Sequence, residues 1–224
     1  MSDSSLPYVD VLPDGDYDAV VIWLHGLGDS GNGFAPIVPE LKLPSDHRIR
    51  FIFPHAPVRP VTINNGMAMR AWYDIVSMDF NHRADRQGVE ESAYLVEQLI
   101  QAEIDRGIDP KRIVLAGFSQ GGVIALHLGT RLSVPLAGIM ALSTYMCAPE
   151  SLANEAHPAN RETPVLCCHG QFDDVVPVFM GKAAYQVLSE NGYSAQWQEY
   201  PMQHNVCLEE IQAISAWLQQ RLCD

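Results

Sequence analysis

Ala19–Leu24 (AVVIWL), Ile113–Ala116 (IVLA), Leu136–Leu142 (LAGIMAL) and Val165–Cys168 (VLCC) are short apolar runs bounded by polar or turn-forming residues. Runs of this kind read as strands buried on both faces. Ile49–Phe53 reads the same way, closed by Pro54, Pro57 and Pro60, and Gln196–Tyr200 alternates as a strand with one wetter face. Between these runs the period changes to that of a helix. From Gln87 to Gly107, the residues Val89, Ala93, Val96, Leu99, Ile100 and Ile104 recur on one face, with Glu90, Glu97, Gln101 and Asp105 opposite. Val123–Gly129, Val178–Asn191 and a last stripe through Leu208, Ile211, Ile214, Leu218 and Leu222 complete the helices. Strand and helix patterns that alternate in this way predict an α/β fold with a mostly parallel central sheet covered by helices on both faces.

One stretch resists a period. Val61 to Arg86 carries Met67, Met69, Trp72, Ile75, Met78 and Phe80 without helical or strand spacing, and its Asn64-Asn65-Gly66 is a turn signal. We expect a long irregular loop there, rich in flexible apolar side chains that cover a groove or a satellite cluster.

Composition narrows the picture. The 224 residues, 47% apolar, show no repeat or linker, so 1–224 is expected to be a single domain. Fourteen basic residues against 27 acidic ones give a net charge of -13. That field repels nucleic acid and anionic lipid, so neither nucleic-acid binding nor stable membrane attachment is expected. Cys147, Cys167, Cys168, Cys207 and Cys223 lack metal-ligand spacing, so no metal site is expected. The adjacent Cys167 and Cys168 should face opposite sides of a strand as small buried hydrophobes. A reducing, cytoplasmic setting follows, since the N-terminus has neither the basic nor the apolar segment of a secretory signal.

The chemistry centres on Gly117-Phe118-Ser119-Gln120-Gly121, set between the Ile113 strand and the Val123 helix. G-x-S-x-G in that setting is a nucleophile elbow, a turn so tight that a Cβ at either glycine would collide. A serine hydroxyl needs a base within hydrogen-bond reach, and in elbow hydrolases the order is Ser, then Asp or Glu, then His. His204, past the last strand, fits that base, whereas His169 lies at a strand end and reads as structural. The acid is Asp173 or Asp174, both just beyond the Val165 strand, and periodicity does not choose between them. Glu150, Glu155 and Glu162 read as solvated surface. The loop His25-Gly26-Leu27-Gly28 follows the first strand without a phosphate-binding signature. Leu27 is placed to offer a backbone N–H to an oxyanion, with His25 holding the loop.

HGLGDSGNGF, FPHAP, AWYDI, GFSQGG, HGQFDDVVP and the closing His204 together resemble the carboxylesterase/acyl-protein thioesterase family of α/β-hydrolases, its bacterial carboxylesterases above all. The resemblance spans nearly the whole chain. It implies the α/β-hydrolase fold, Asp173 as the acid, the N–H groups of Leu27 and Gln120 as the oxyanion hole, and Trp72 and Val176 beside an apolar acyl groove. It further implies a homodimer, no cofactor, and a small or lipid-like acyl ester or thioester as substrate. Gln203 departs from the pattern, standing where a glycine commonly precedes the closing His. The function expected is cleavage of carboxylic esters or thioesters through a Ser119–His204–Asp173 triad and an acyl-enzyme. Alternatives are acyl-protein thioesterase or lysophospholipase as the main activity, or acyl transfer to an alcohol.

Overall fold

The structure is a computed structural model and describes residues 6–77 and 84–223. Met78 and Phe80 lie outside the described residues. Nine strands are present among them: β1 (Tyr8–Val11), β2 (Ala19–Leu24), β3 (Ile49–Pro54), β4 (Val58–Val61), β5 (Met67–Arg70), β6 (Ile113–Phe118), β7 (Gly138–Leu142), β8 (Val165–Gly170) and β9 (Ala195–Tyr200). The α-helices are α1 (Gly31–Phe34), α2 (Ile37–Glu40), α3 (Arg86–Asp105), α4 (Gln120–Gly129), α5 (Leu152–Glu155), α6 (Val178–Glu190) and α7 (Leu208–Leu222). The main sheet has the order β1-β3-β2-β6-β7-β8-β9, and only β1 runs antiparallel. This is the doubly covered parallel sheet that the apolar runs predict.

Strand alternation builds two cores. Val20, Ile22, Leu24, Ile113, Leu115 and Cys167 pack on one face with α3, α4 and α6. Ala19, Val21, Trp23, Val114, Ala116 and Cys168 pack on the other with α2 and α7. The two adjacent cysteines therefore part as expected, and burial pushes the Cys167 thiol up to about 12. Each fully buried aliphatic side chain stabilises the fold by roughly 1.5–3 kcal/mol.

Two features depart from expectation. The chain from 61 to 86 is not irregular throughout: β5 pairs antiparallel with β4, Val58 opposite Arg70 and Val61 opposite Met67. The Asn-Gly turn signal sits at the bend, where Asn65 and Gly66 take φ of 55° and 73°. The β1 strand was not foreseen, because YVDV is neither apolar throughout nor long. It is tied down by charge: Arg50 in β3, 5% exposed, donates to Asp10 of β1 and Glu103 of α3, each at 2.9 Å.

Glu210, in the first turn of α7, has no exposed surface. Burial pushes its carboxyl up to about 8, only partly offset by the Cys207 backbone N–H. The folded chain thus holds a proton that the unfolded chain releases near the ordinary glutamate value. The stabilisation is complete below that value and is lost as pH rises toward 8, at about 1.4 kcal/mol per pH unit. Melting temperature should fall between pH 5 and 8, and Glu210→Gln should flatten the fall. Parallel curves for the two proteins would remove Glu210 as the cause.

Candidate active site

The elbow is steric in origin. A Cβ on Gly117 would meet the Gly121 carbonyl oxygen, and one on Gly121 would meet the Leu24 carbonyl. With no side chain at either end, β6 turns directly into α4, and Ser119 is held at φ 55°, ψ -119°. Positive φ costs a non-glycine residue of order 1–3 kcal/mol, so the surroundings must impose it. The Ser119 N–H donates to Leu142 O (2.9 Å), and its carbonyl accepts from Gly122 N–H (3.0 Å) and the Thr144 hydroxyl (2.7 Å). Thr144 carried no signal in the sequence beyond its place past a strand end.

His204 comes from the turn after β9 and Asp173 from the turn after β8, on the same edge of the sheet as Ser119. His204 Nδ1 lies 2.7 Å from Asp173 Oδ2, and His204 Nε2 lies 3.0 Å from Ser119 Oγ. Asp173 Oδ1 accepts from the N–H groups of Val175 (3.0 Å) and Val176 (2.8 Å). Burial would push the Asp173 carboxyl up, but the hydrogen bonds from His204 and Val176 outweigh it and hold it below the usual carboxylate value. An ionised carboxylate only accepts, so the imidazole proton sits on Nδ1. Nε2 is then free to accept the serine proton. The Phe118 ring packs 4.8 Å from the imidazole and fixes its tilt.

Contacts separate the two acids. Asp173 is buried at 7% exposure while Asp174 is exposed. His169 is structural, as expected: its Nε2 bonds the Val176 carbonyl (2.8 Å), its ring stacks on Trp197, and burial lowers its pKa. Glu155 lies at the surface but is engaged by Arg86 and Arg131. The backbone of Gln203 takes no positive φ, and its side chain is exposed. The close approach in this loop falls instead on Gly170, where a Cβ would meet the Gln203 and Met202 carbonyls. A side chain at 203 is therefore accommodated.

The loop after β2 lies against the serine. A Cβ on Gly26 would stand 3.4 Å from Ser119 Cβ. His25 holds this loop through both nitrogens, bonding Gly26 O (2.6 Å) and accepting from Ala56 N–H (3.0 Å), and burial keeps it neutral. The N–H groups of Leu27 and Gln120 have no acceptor among the described residues. Two unpaired donors flanking a hydroxyl can stabilise a tetrahedral oxyanion.

Trp72 and Val176, expected beside an acyl groove, both lie in the interior next to the site's loops. Both are buried, at 0% and 2% exposure, and both work through polar atoms. The Trp72 indole N–H donates to His25 O (2.8 Å), and the Val176 amide and carbonyl hold Asp173 and His169. They tie the site's loops together through these hydrogen bonds. A cavity of about 680 Å³ lies elsewhere, between the segment after β7 and α6, lined by Tyr145, Met146, Cys147, Met180, Ala184 and Val187 among others. Neither Met67 nor Met69 lines it. Tyr145 directly follows Thr144, which bonds the Ser119 carbonyl, but none of Ser119, Asp173 and His204 lines the cavity.

A family model described as phospholipase/carboxylesterase matches residues 11–222. An acyl-protein thioesterase 1 of Neurospora crassa is 42% identical over 216 residues, covering 92% of this chain and 88% of that protein. Among solved structures, Arabidopsis thaliana SOBER1 superposes with a TM-score of 0.86 at 32% identity, over 91% of this chain and 99% of that one. Zea mays acyl-protein thioesterase 2 does so with the same score at 31% identity, over 96% and 99%.

Proposed function

The chain belongs to the phospholipase/carboxylesterase family of α/β-hydrolases, and from that premise we propose that it hydrolyses aliphatic acyl thioesters and esters through Ser119, His204 and Asp173. The observation that carries the proposal is the unbroken hydrogen-bond run from Asp173 through His204 to Ser119.

Ser119 Oγ attacks the acyl carbonyl carbon while His204 Nε2 takes its proton. The Asp173 carboxylate holds the ring in the Nδ1–H tautomer and stabilises the imidazolium. The developing oxyanion is met by the N–H groups of Leu27 and Gln120. Collapse expels the thiol or alcohol, protonated by His204, and leaves the acyl group on Ser119. Water, deprotonated by the same imidazole, then attacks the acyl-enzyme and releases the carboxylic acid. Every proton in this cycle has a donor and an acceptor on the chain or in water.

We seat the acyl chain in the cavity between the segment after β7 and α6, whose lining joins Met146, Met180 and Ala184 with Arg86 and Glu150. The names of the fungal and maize relatives point to thioesters carried on proteins as the substrate class. Cys147, Cys167, Cys168 and Cys207 are free thiols, which suits a reducing cytoplasm, where we place the reaction.

The test is a rate profile over acyl chain length, run in parallel on thioesters and oxygen esters. Both should be cleaved, with kcat/KM rising until the chain fills the cavity. Rates indifferent to chain length would remove the cavity as the acyl seat, and no acyl release from either series would sink the reading.

A further inference from the structure

Gln120 carries a second function besides its backbone N–H. Its side chain is buried at 2% exposure and makes a two-point clamp on the segment that follows β5. Oε1 accepts from the Trp72 backbone N–H (3.0 Å), and Nε2 donates to the Tyr73 carbonyl (2.9 Å). The carboxamide thus acts as a one-residue strand partner, satisfying two buried backbone groups at once.

That segment in turn grips the oxyanion loop on both sides of Leu27. Before it, the Trp72 indole N–H donates to His25 O at 2.8 Å, and the Trp72 ring packs 5.3 Å from the His25 ring. After it, Gly28 N–H donates to Arg70 O at 2.8 Å. The far side of the segment is fixed as well, because Ser92 Oγ donates to the Trp72 carbonyl. Leu27 itself lies past the end of β2, so no strand ladder sets its N–H. Besides the His25 bond to Ala56 and the packing of Gly26 on the elbow, that donor is therefore held by residues 70–73, and residues 72 and 73 are in turn tied to the elbow by the Gln120 side chain.

We propose that the Gln120 carboxamide is a positioning residue that registers the two oxyanion donors, its own N–H and that of Leu27, against Ser119. The proposal rests on the acyl-transfer reading above and deepens it. An oxyanion hole works because its donors are already aimed where charge develops, so a loop free to shift by a fraction of an ångström loses transition-state binding and keeps ground-state binding.

The test uses Gln120→Met, similar in length and unable to clamp, with the backbone N–H retained. We expect kcat to fall on the order of 10- to 100-fold with KM within about twofold. Affinity for an aliphatic trifluoromethyl ketone, which adds Ser119 to form a tetrahedral oxyanion, should weaken by the same factor. Affinity for the corresponding secondary alcohol, which has no electrophilic carbon, should hold. Trp72→Phe, which keeps a ring and deletes only the indole donor to His25, should give the same signature more weakly, and it carries the test if Gln120→Met does not fold. The double variant should lose less than the product of the two single losses, because both act through one belt.

A folded Gln120→Met with unchanged kcat overturns the proposal, as does equal weakening of ketone and alcohol. A wild-type protein that the ketone does not inhibit overturns the Ser119 reading itself, whereas normal inhibition of wild type beside an unaffected Gln120→Met overturns the clamp alone.

Discussion

Ser119→Ala is expected to lower turnover on the order of 10⁵- to 10⁶-fold and to abolish labelling by a fluorophosphonate. The magnitude follows from how a nucleophile and its base act as a unit: removing one leaves the other without a task, and only the oxyanion donors and substrate binding contribute afterwards. The fold should survive the change. Alanine keeps a Cβ at the position held at φ 55°, so the backbone strain is about what it was. The lost partner of Ser119 Oγ is His204 Nε2, and the His204 side chain is 15% exposed, so water replaces the hydroxyl. A loss of activity accompanied by a large drop in melting temperature would therefore speak against a purely chemical role. Labelling that persists in Ser119→Ala would assign the nucleophile to another residue.

Asp173→Asn should cost about 10⁴-fold in kcat, while Asp174→Asn should stay within about twofold. Geometry dictates the difference. Oδ1 of Asp173 accepts two backbone N–H groups, from Val175 and Val176. An asparagine must therefore keep its carbonyl oxygen on that side and turn its NH₂ toward His204. The amide then donates to Nδ1, drives the imidazole proton onto Nε2 and points an N–H at Ser119 where an acceptor is needed. The base is lost without any atom moving far. Asp174 is exposed and takes no part in this arrangement. Comparable losses in both variants would reveal a general electrostatic effect in place of a tautomer effect. The native carboxyl has a second signature. Because its pKa is held below the ordinary value, its contribution to stability is present above that value and lost as pH falls through the native one.

Much of this was legible along the chain because its causes are short-ranged. AVVIWL can be buried on both faces whatever surrounds it, and its alternate residues do enter two different cores. The glycines at 117 and 121 are demanded by the turn itself, so the elbow could be read from five residues set between an apolar run and a helical one. His204 followed from sheet polarity, since a loop past a parallel strand's carboxyl end reaches the same rim as the elbow.

The remainder depended on contacts between segments distant in the chain. Asp173 and Asp174 differ by one position, and no periodicity separates them; beyond the resemblance of HGQFDD to the family, it is the turn that brings two N–H groups onto one carboxylate that does. Trp72 and Val176 carry apolar side chains, yet their places are decided by an indole N–H, an amide and a carbonyl whose partners lie elsewhere in the sequence. The cavity forms between residues 145–150 and α6, and no periodicity in either segment announces the space between them. Local pattern indicated the six parallel strands of the main sheet, the elbow and His204, because sterics and burial act over a few residues. Tertiary structure alone decided the contacts that set Asp173 apart from Asp174, the cavity and the Gln120 clamp, because a hydrogen bond or a void exists only once both of its sides have been brought together.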